Sequence, residues 1–331
     1  MKLATLPGPT RDGALVVVSR DLSRCAPATP IAPTLQAALD RWADTAPRLL
    51  ALAEALDRGT AAEAVDFAPA RALAPLPRAY QWLDASAFLS HGRLMSRAMK
   101  LTSNPQTTDA PLMYQGGSDD FLGPCQDAPF VSEADGIDFE GEFGVILDET
   151  PMGASPDQAA QSIRLIVQLN DWSLRAVAPR EMQTGFGFIH AKPSTAFAPV
   201  AVTPDELGPA WADGRVGLDL HITWNGKPFG HPNGREMSYS FFELIAHAAK
   251  TRRLRPGTII GSGTVSNENP QAVGSACIAE RRGLEIIATG EPSTGFMRFG
   301  DRVTMEARAA DGSAPFGTID QTVVGAEDLS G

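Results

Sequence analysis

Two glutamates separated by one residue, Glu140 and Glu142, lie in an otherwise largely apolar run that extends from Asp138 to Leu147. In a β-strand alternate side chains share a face, so the two carboxylates would project side by side. Like charges on one strand face repel, and burying an unpaired carboxylate is costly. A shared hard cation such as Mg²⁺, Ca²⁺ or Mn²⁺ would relieve both penalties. The alternative is a solvent-exposed acidic face of an edge strand.

Two further carboxylates and a histidine stand close to other apolar segments. Asp171 ends the run Leu165-Ile-Val-Gln-Leu-Asn, Asp84 follows Trp82-Leu83, and His91 comes seven residues after Asp84. Together with the glutamate pair this makes four carboxylates, enough to hold one hard divalent cation with positions left for water or substrate. The pattern therefore predicts a metal site built from three separate segments.

The set Asp84…His91, Glu140-Gly-Glu142, Asn170-Asp-Trp-Ser173 and Lys192 resembles the fumarylacetoacetate hydrolase family in order and spacing, across roughly residues 80 to 325. The resemblance implies an α+β, β-rich fold. A small N-terminal α/β domain would be followed by a mixed β-sandwich or β-roll catalytic domain of the fumarylacetoacetase C-terminal type. It also implies a homodimer.

The same resemblance implies one divalent cation, Mg²⁺ first with Ca²⁺ or Mn²⁺ as alternatives, at Asp84, Glu140, Glu142 and Asp171. The ion would chelate two oxygens of a 1,3-dicarbonyl or 2-oxo acid and favour its enolate.

Three further residues receive catalytic roles from the resemblance. His91 would activate water as a general base, with Glu280 orienting it and stabilising the imidazolium. Lys192 would offset charge on the enolate or its leaving oxygen. Because decarboxylation needs no activated water, the presence of His91 and Glu280 favours hydrolysis.

The residues expected to contact substrate depart in part from the family pattern. Ser86 and Lys100 stand where the mammalian member of the family has a tyrosine and an arginine. Ala178 or a neighbour replaces a glutamine of that member. Because these positions differ, the substrate need not be fumarylacetoacetate itself. The predicted substrate-binding residues are Ser86, Lys100, Tyr114, Thr264 and Ser266.

The resemblance thus implies a metal-dependent hydrolase that cleaves a C–C bond in a 1,3-diketone or acylpyruvate-type, fumarylacetoacetate-like substrate. The reaction would proceed by water addition and enolate release, in aromatic-compound or tyrosine catabolism. One alternative is a decarboxylase or isomerase acting on a related 2-oxo diacid. Another is a non-catalytic metal-binding protein, which would be free to lose His91 or Lys192.

Composition is that of a globular protein. The 331 residues are 43% hydrophobic and 20% charged, which favours a large domain plus a smaller one. A net charge of −11 argues against a nucleic-acid partner. Three scattered cysteines indicate reduced thiols, and the sequence shows neither a signal-peptide pattern nor an apolar run of membrane-spanning length. We therefore expect a cytoplasmic protein that does not contact a membrane.

The N-terminal elements are predicted from turn and helix signals. Lys2 to Leu6 and Ala14 to Ser19 should form a hairpin, followed by a helix from Leu35 to Ala43 and a second from Pro47 to near Gly59. The Ala/Pro-rich stretch 60–79 indicates a linker. We therefore predict an N-terminal domain with linker at 1–75 and a catalytic domain at 76–331.

Later elements follow the same rules. Helical residues from Ser86 to Met99 should carry His91, and the long polar segment 101–129 is of a kind that is usually functional. Capping boxes at Ser155 and Ser240 should start two helices, the second running to about Arg253. Asn225-Gly226 predicts a type I′ hairpin turn. The apolar run from Gly274 is expected to end at Glu280.

Overall fold

The computed structural model describes residues 1–100 and 110–329. Its α-helices are α1 Leu35–Leu39, α2 Trp42–Asp57, α3 Leu89–Ala98, α4 Pro156–Ala160, α5 Ala178–Thr184, α6 Phe241–Ala248, α7 Pro270–Val273 and α8 Ile278–Thr289. Its strands are β1 Lys2–Leu6, β2 Ala14–Val18, β3 Arg24–Pro27, β4 Val65–Asp66, β5 Trp82–Ala85, β6 Met113–Gly116, β7 Ala128–Phe130, β8 Ile137–Asp138, β9 Gly141–Leu147, β10 Ile163–Asn170, β11 Ser173–Leu174, β12 Ala196–Phe197, β13 Ala201–Val202, β14 Trp211–Ala212, β15 Arg215–Val216, β16 Asp219–Trp224, β17 Lys227–Gly230, β18 Ile259–Gly261, β19 Arg302–Arg308 and β20 Thr318–Gly325.

Two sheets dominate the described part of the chain. The larger has the order β4-β3-β2-β1-β13-β10-β9-β18-β5-β6, with β12 also paired to β10. The smaller has the order β17-β16-β19-β20-β7. Within the large sheet β18 runs parallel to β5 and antiparallel to β9, which brings three distant segments together at its centre.

The two sheets pack face to face around one apolar core. Phe143, Val145 and Leu147 of β9 share this core with Leu220 and Ile222 of β16. The sheets approach closely at Gly141, where an added Cβ would meet Leu220 Cδ2 at 2.8 Å and Ile222 Cδ1 at 2.9 Å. The predicted α+β, β-rich sandwich is confirmed.

The opposite face of the large sheet is covered by the N-terminal segment. A second core cluster joins Leu35 and Leu49 of α1 and α2 to Trp82, Ile146 and Val167 of the central strands. Strand β1 pairs with β13, so one continuous sheet runs through both the N-terminal segment and the larger one. The predicted boundary near residue 75 therefore separates two parts of the chain that share a sheet and a core.

Several local predictions are confirmed. β1 and β2 pair as the expected hairpin, and both capping boxes form, at Ser155 before α4 and at Ser240 before α6. Asn225 and Gly226 have φ values of 49° and 74°, which the predicted turn requires.

Other predictions of helix bounds are wrong. The first helix ends at Leu39, before the predicted Ala43, and the second begins at Trp42, so that Pro47 lies inside it. Helix α6 ends at Ala248, before the predicted end near Arg253. Arg253 lies outside the helix, and its guanidinium is close to the Glu149 carboxylate. Helix α8 was not predicted, because its apolar first residues also suit a strand.

No helix among the described residues is both long enough and apolar enough to cross a membrane.

Candidate metal and catalytic site

Three buried carboxylates converge at one end of the large sheet. Asp84, Glu142 and Asp171 each place an oxygen within 4.8 Å of the other two. Each continues a row of side chains that faces the N-terminal segment, because residues two apart on a strand share a face. These rows are Trp82–Asp84 on β5, Ile146–Gly144–Glu142 on β9, and Val167–Leu169–Asp171 at the end of β10.

Glycine makes the space in which these carboxylates meet. Asp84 lies beside Gly261 of β18, which in turn pairs with Gly144 of β9. A Cβ at Gly261 would lie 2.3 Å from Asp84 Oδ1. The sheet therefore needs a residue without a side chain beneath the Asp84 carboxylate.

The three carboxylates differ in the hydrogen bonds that they receive. Asp171 accepts from Tyr114 Oη at 2.5 Å, Thr195 Oγ1 at 2.8 Å and Lys192 Nζ at 2.6 Å. Asp84 accepts from the Gly263 amide at 3.0 Å. Glu142 is fully buried, and neither of its oxygens receives a hydrogen bond from any described residue.

Burial and mutual repulsion control ionisation in this group. Desolvation and the Asp171 charge raise the pKa of Asp84 to about 8. Desolvation and the charges of Asp84 and Asp171 raise the pKa of Glu142 well above its ordinary value. Burial and mutual repulsion therefore favour the neutral form of these two carboxyl groups in metal-free protein, whereas a bound cation would favour their ionised form.

Glu140 lies outside this group of three, although the sequence predicts it as a fourth ligand. Oε1 lies 2.7 Å from Arg175 Nη2 and accepts from Lys192 Nζ at 3.0 Å and Ser173 Oγ at 2.6 Å. Oε2 accepts from Thr264 Oγ1. Burial opposes its ionisation, but Arg175 and Lys192 hold the pKa of Glu140 below its usual range.

The exposed edge-strand alternative for the glutamate pair is wrong, because Glu140 is 6% exposed and Glu142 is inaccessible.

Lys192 contacts Glu140 and also Asp171, which belongs to the same group of three carboxylates as Glu142. Burial alone would lower its pKa, but these two carboxylates raise the pKa of Lys192 above its ordinary value. The ammonium also lies 5.3 Å from the centroid of the Tyr114 ring.

A histidine–glutamate pair lies between α3 and α8. His91 Nδ1 is 3.6 Å from Glu280 Oε1. Glu280 is 1% exposed and accepts a hydrogen bond from Ser266 Oγ, which itself accepts from Ser90 Oγ at 3.1 Å. His91 retains a 20% exposed side chain, so its ring reaches solvent while its partner does not.

The segment after β18 contacts each of these groups. The Gly263 amide donates to Asp84, Thr264 to Glu140 and Ser266 to Glu280. Only Val265 separates Thr264, the donor to Glu140, from Ser266, the donor to Glu280. Residues 263–266 therefore link the carboxylate group to the histidine pair.

Two residues of this site were missed by sequence reasoning. Arg175 Nε donates to Asp138 Oδ2 at 2.8 Å and its Nη2 pairs with Glu140. Asp138 also accepts from the backbone amides of Ile278 and Ala279. The Asp-x-Glu-x-Glu spacing was visible, but a partner 37 residues away in sequence was not.

Of the predicted substrate contacts, Tyr114, Thr264 and Ser266 lie in this site. Ser86 follows β5 directly, and its backbone amide donates to Leu112 O. Lys100 lies at the exposed C-terminal end of α3, nine residues beyond His91 and with φ of 53°. The structure therefore does not bring Lys100 to the carboxylates. Residues 101–109 of the predicted functional loop lie outside the described residues.

The family model described as fumarylacetoacetate (FAA) hydrolase C-terminal matches residues 81–324. This chain belongs to the fumarylacetoacetate hydrolase family. A second model, fumarylacetoacetase N-terminal domain 2, matches residues 1–78.

Curated family members match the chain at low identity. A 2,4-didehydro-3-deoxy-L-rhamnonate hydrolase from a Sphingomonas species is 28% identical over 180 residues, which is 52% of this chain and 60% of that enzyme. Fumarylacetoacetase from Arabidopsis thaliana is 24% identical over 289 residues, covering 73% of this chain and 69% of that enzyme. The match thus spans less than two thirds of the Sphingomonas enzyme.

Solved structures share the fold over nearly the whole chain. Maleylpyruvate hydrolase from Sphingobium sp. SYK-6, in complex with manganese(II) and pyruvate, has a TM-score of 0.65 at 17% identity, covering 98% of this chain and 99% of that one. A probable 2-hydroxyhepta-2,4-diene-1,7-dioate isomerase from Mycobacterium abscessus gives the same scores and coverage.

The donor set of this family member suits a divalent metal ion. All candidate ligands in the group of three are carboxylate oxygens, which hard cations prefer. Both Glu142 oxygens are buried without a hydrogen-bond donor among the described residues, so a cation would supply the missing partner. Asp84, Glu142 and Asp171 therefore fit the metal that the family resemblance implies.

Proposed function

We propose that this protein is a divalent-cation-dependent hydrolase that cleaves a C–C bond in an acylpyruvate or related 1,3-diketone. The observation that carries the proposal is the buried group Asp84, Glu142 and Asp171, which the segment after β18 links to the His91–Glu280 pair. The maleylpyruvate hydrolase of the same fold, whose structure contains manganese and pyruvate, supports a pyruvate-releasing reaction.

Asp84, Glu142 and Asp171 would hold the cation, Mg²⁺ or Mn²⁺. The charge of Glu140 is already balanced by Arg175 and Lys192. When bound, the ion would supply Lewis acidity toward the two oxygens of a dicarbonyl substrate. Lys192 already balances Asp171 and Glu140. Its ammonium would donate to a substrate oxygen that gains negative charge.

His91 would remove a proton from the attacking water. Because Nδ1 faces Glu280, Nε2 points away from that carboxylate and is the nitrogen that accepts the proton. Glu280 stabilises the resulting imidazolium, and the hydrogen bond from Ser266 fixes the orientation of its carboxylate. The proton then passes from Nε2 to the carbon leaving group as the C–C bond breaks.

The second candidate is an isomerase or decarboxylase acting on a 2-oxo diacid. The isomerase of the same fold favours it, as does the 3.6 Å gap between His91 and Glu280, which is longer than a hydrogen bond. Such reactions would use the carboxylate group and Lys192 without an activated water.

A product assay separates the two candidates. The protein is incubated with acylpyruvates and with 2-oxo diacids, in Mg²⁺ or in Mn²⁺, and products are identified by NMR, with Glu142→Gln as the matched inactive control. Release of pyruvate and a carboxylic acid supports hydrolysis. Release of CO₂ or a shifted double bond, without water incorporation, would overturn hydrolysis in favour of the second candidate.

The homodimer that the family resemblance implies stays a prediction, which light scattering of the purified protein tests.

A further inference from the structure

Asp138 is a fully buried carboxylate for which the reaction outlined above gives no role. Its Oδ1 accepts from the Ile278 amide at 2.7 Å, and its Oδ2 accepts from the Ala279 amide at 2.9 Å. These amides belong to the first two residues of α8. Asp138 therefore caps a helix that lies 140 residues further along the chain.

Helix α8 depends on this remote acceptor. The residue before the helix is Cys277, whose thiol sulfur is a weak acceptor and takes only the Glu280 amide, at 3.3 Å. Ile278 and Ala279 are buried, so water does not replace the carboxylate. Unpaired amides at a buried helix start would be costly, and a negative charge there is stabilised by the helix dipole.

The residue held by this arrangement is Glu280. It is the third residue of α8, one position beyond Ala279. The first turn of the helix therefore sets where the Glu280 carboxylate meets His91 and Ser266. A small rotation or fraying of that turn would move the carboxylate away from the imidazole.

Arg175 fixes the other side of Asp138. Its Nε donates to Oδ2 at 2.8 Å, while its Nη2 lies 2.7 Å from Glu140. Asp138 is thus held by two peptide amides and one guanidinium, and it cannot change position without disturbing all three. A rigid acceptor of this kind suits a role in orientation.

We infer that Asp138 is a positioning residue for the reaction, which holds the first turn of α8 so that Glu280 stays in register with His91. The inference rests on the proposed function, because it needs the His91–Glu280 pair to act in catalysis.

The first test measures α8 without using activity. Asp138→Asn keeps the side-chain volume but removes the charge and an acceptor. Amide hydrogen exchange in residues 278–281 should accelerate by roughly ten- to hundredfold, the weight of a hydrogen bond to a charged group. Asp138→Ser, which places no amide group against Arg175, serves if the asparagine variant does not fold.

The matched control is Glu285→Gln in the same helix. Glu285 also accepts from two backbone amides, those of Ser293 and Thr294, but near the other end of α8. This variant should accelerate exchange at residues 293–294 and leave both residues 278–281 and kcat unchanged.

The second test is a double-mutant cycle with Glu280→Gln. Asp138→Asn alone should lower kcat by roughly ten- to hundredfold, with KM and Mn²⁺ affinity unchanged, since misplacing a catalytic group costs about this much. In the Glu280→Gln background the same substitution should lower kcat no further, because the positioned group is already disabled.

Three results would overturn the role of Asp138. The first is unchanged amide exchange at residues 278–281, and the second is an equal loss of kcat in both backgrounds. The third is a loss of Mn²⁺ affinity, which would show that Asp138→Asn acts through Arg175 and Glu140. Wild-type turnover in Glu280→Gln alone would instead refute the proposed hydrolytic function, so the two failures are distinguishable.

Discussion

Glu140 and Glu142 are two residues apart and both buried, yet their surroundings are opposite. Glu140 is held by Arg175, Lys192 and two hydroxyl groups, whereas neither oxygen of Glu142 has a donor among the described residues. Spacing alone predicts the same role for both. The difference shows that charge balance, more than position on the strand, decides which carboxylate is left without a partner among the described residues.

The largest effect should come from removing the charge of Glu142. Glu142→Gln takes away the carboxylate that most lacks a partner, so we expect Mn²⁺ binding by calorimetry and turnover to fall below detection. The variant should fold as the wild type does. Equal Mn²⁺ affinity in the two proteins would contradict the assignment of this group as a metal site.

Removing His91 should reduce the rate while leaving both glutamate environments intact. His91→Ala should lower kcat by roughly 10²–10⁴-fold, the usual contribution of general acid–base catalysis. Mn²⁺ affinity should not change, because His91 contacts Glu280 and not the carboxylate group. Wild-type kcat with metal bound would refute the activated-water mechanism.

Glu140→Gln should act mainly on stability. The substitution leaves Arg175 and Lys192 partly unpaired in a buried setting, which costs about 3–5 kcal/mol of unfolding free energy. Glu142→Gln should have the opposite sign in metal-free protein, because it removes a carboxyl group whose ionisation is disfavoured in the folded state by burial and by the charges of Asp84 and Asp171. Urea unfolding in EDTA measures both, and a shared sign would remove the distinction between the two glutamates.

The smallest effect concerns pH. In metal-free protein the folded state raises the pKa of Asp84 from near 4 to about 8, so it binds a proton more tightly than the unfolded chain does. The resulting stabilisation is fully present below the unfolded pKa and is lost as pH rises through about 8. Unfolding free energy in EDTA should therefore be lower at pH 9 than at pH 6. Adding Mn²⁺ should reduce or reverse this difference, and a flat profile in EDTA would contradict it.

Sequence patterns predicted the parts of this site that depend on local spacing. Strand periodicity placed Glu142 among apolar neighbours, the end of an apolar run located Asp171, and Asp84 was singled out by its spacing of seven residues before His91. The family resemblance, on motifs visible in the sequence, supplied His91, Glu280 and Lys192. The N-terminal hairpin and both capping boxes followed from local signals, whereas the sandwich fold followed from the family resemblance.

The remaining features depend on contacts between distant segments, which spacing does not reveal. The pairing of Arg175 with Glu140 distinguishes the two glutamates, and no local pattern indicates it. Helix α8 lacks a strong cap from the residues next to it in sequence. Asp138, from a distant part of the chain, caps it instead. Lys100 matched a family position by count, but the end of α3 leaves it exposed.

The segment that follows β18 has a consequence for how the chain folds. Its contacts with Asp84 and Glu140 span 179 and 124 residues, so each requires a long loop to close before it forms. Contacts between residues so far apart in the sequence form slowly and late. A refolding intermediate that lacks β18 would keep the sheet edges of β5 and β9 unpaired and would hold the carboxylates apart. Activity should therefore return with the slowest refolding phase, and metal added at the start of refolding would find no assembled group to bind.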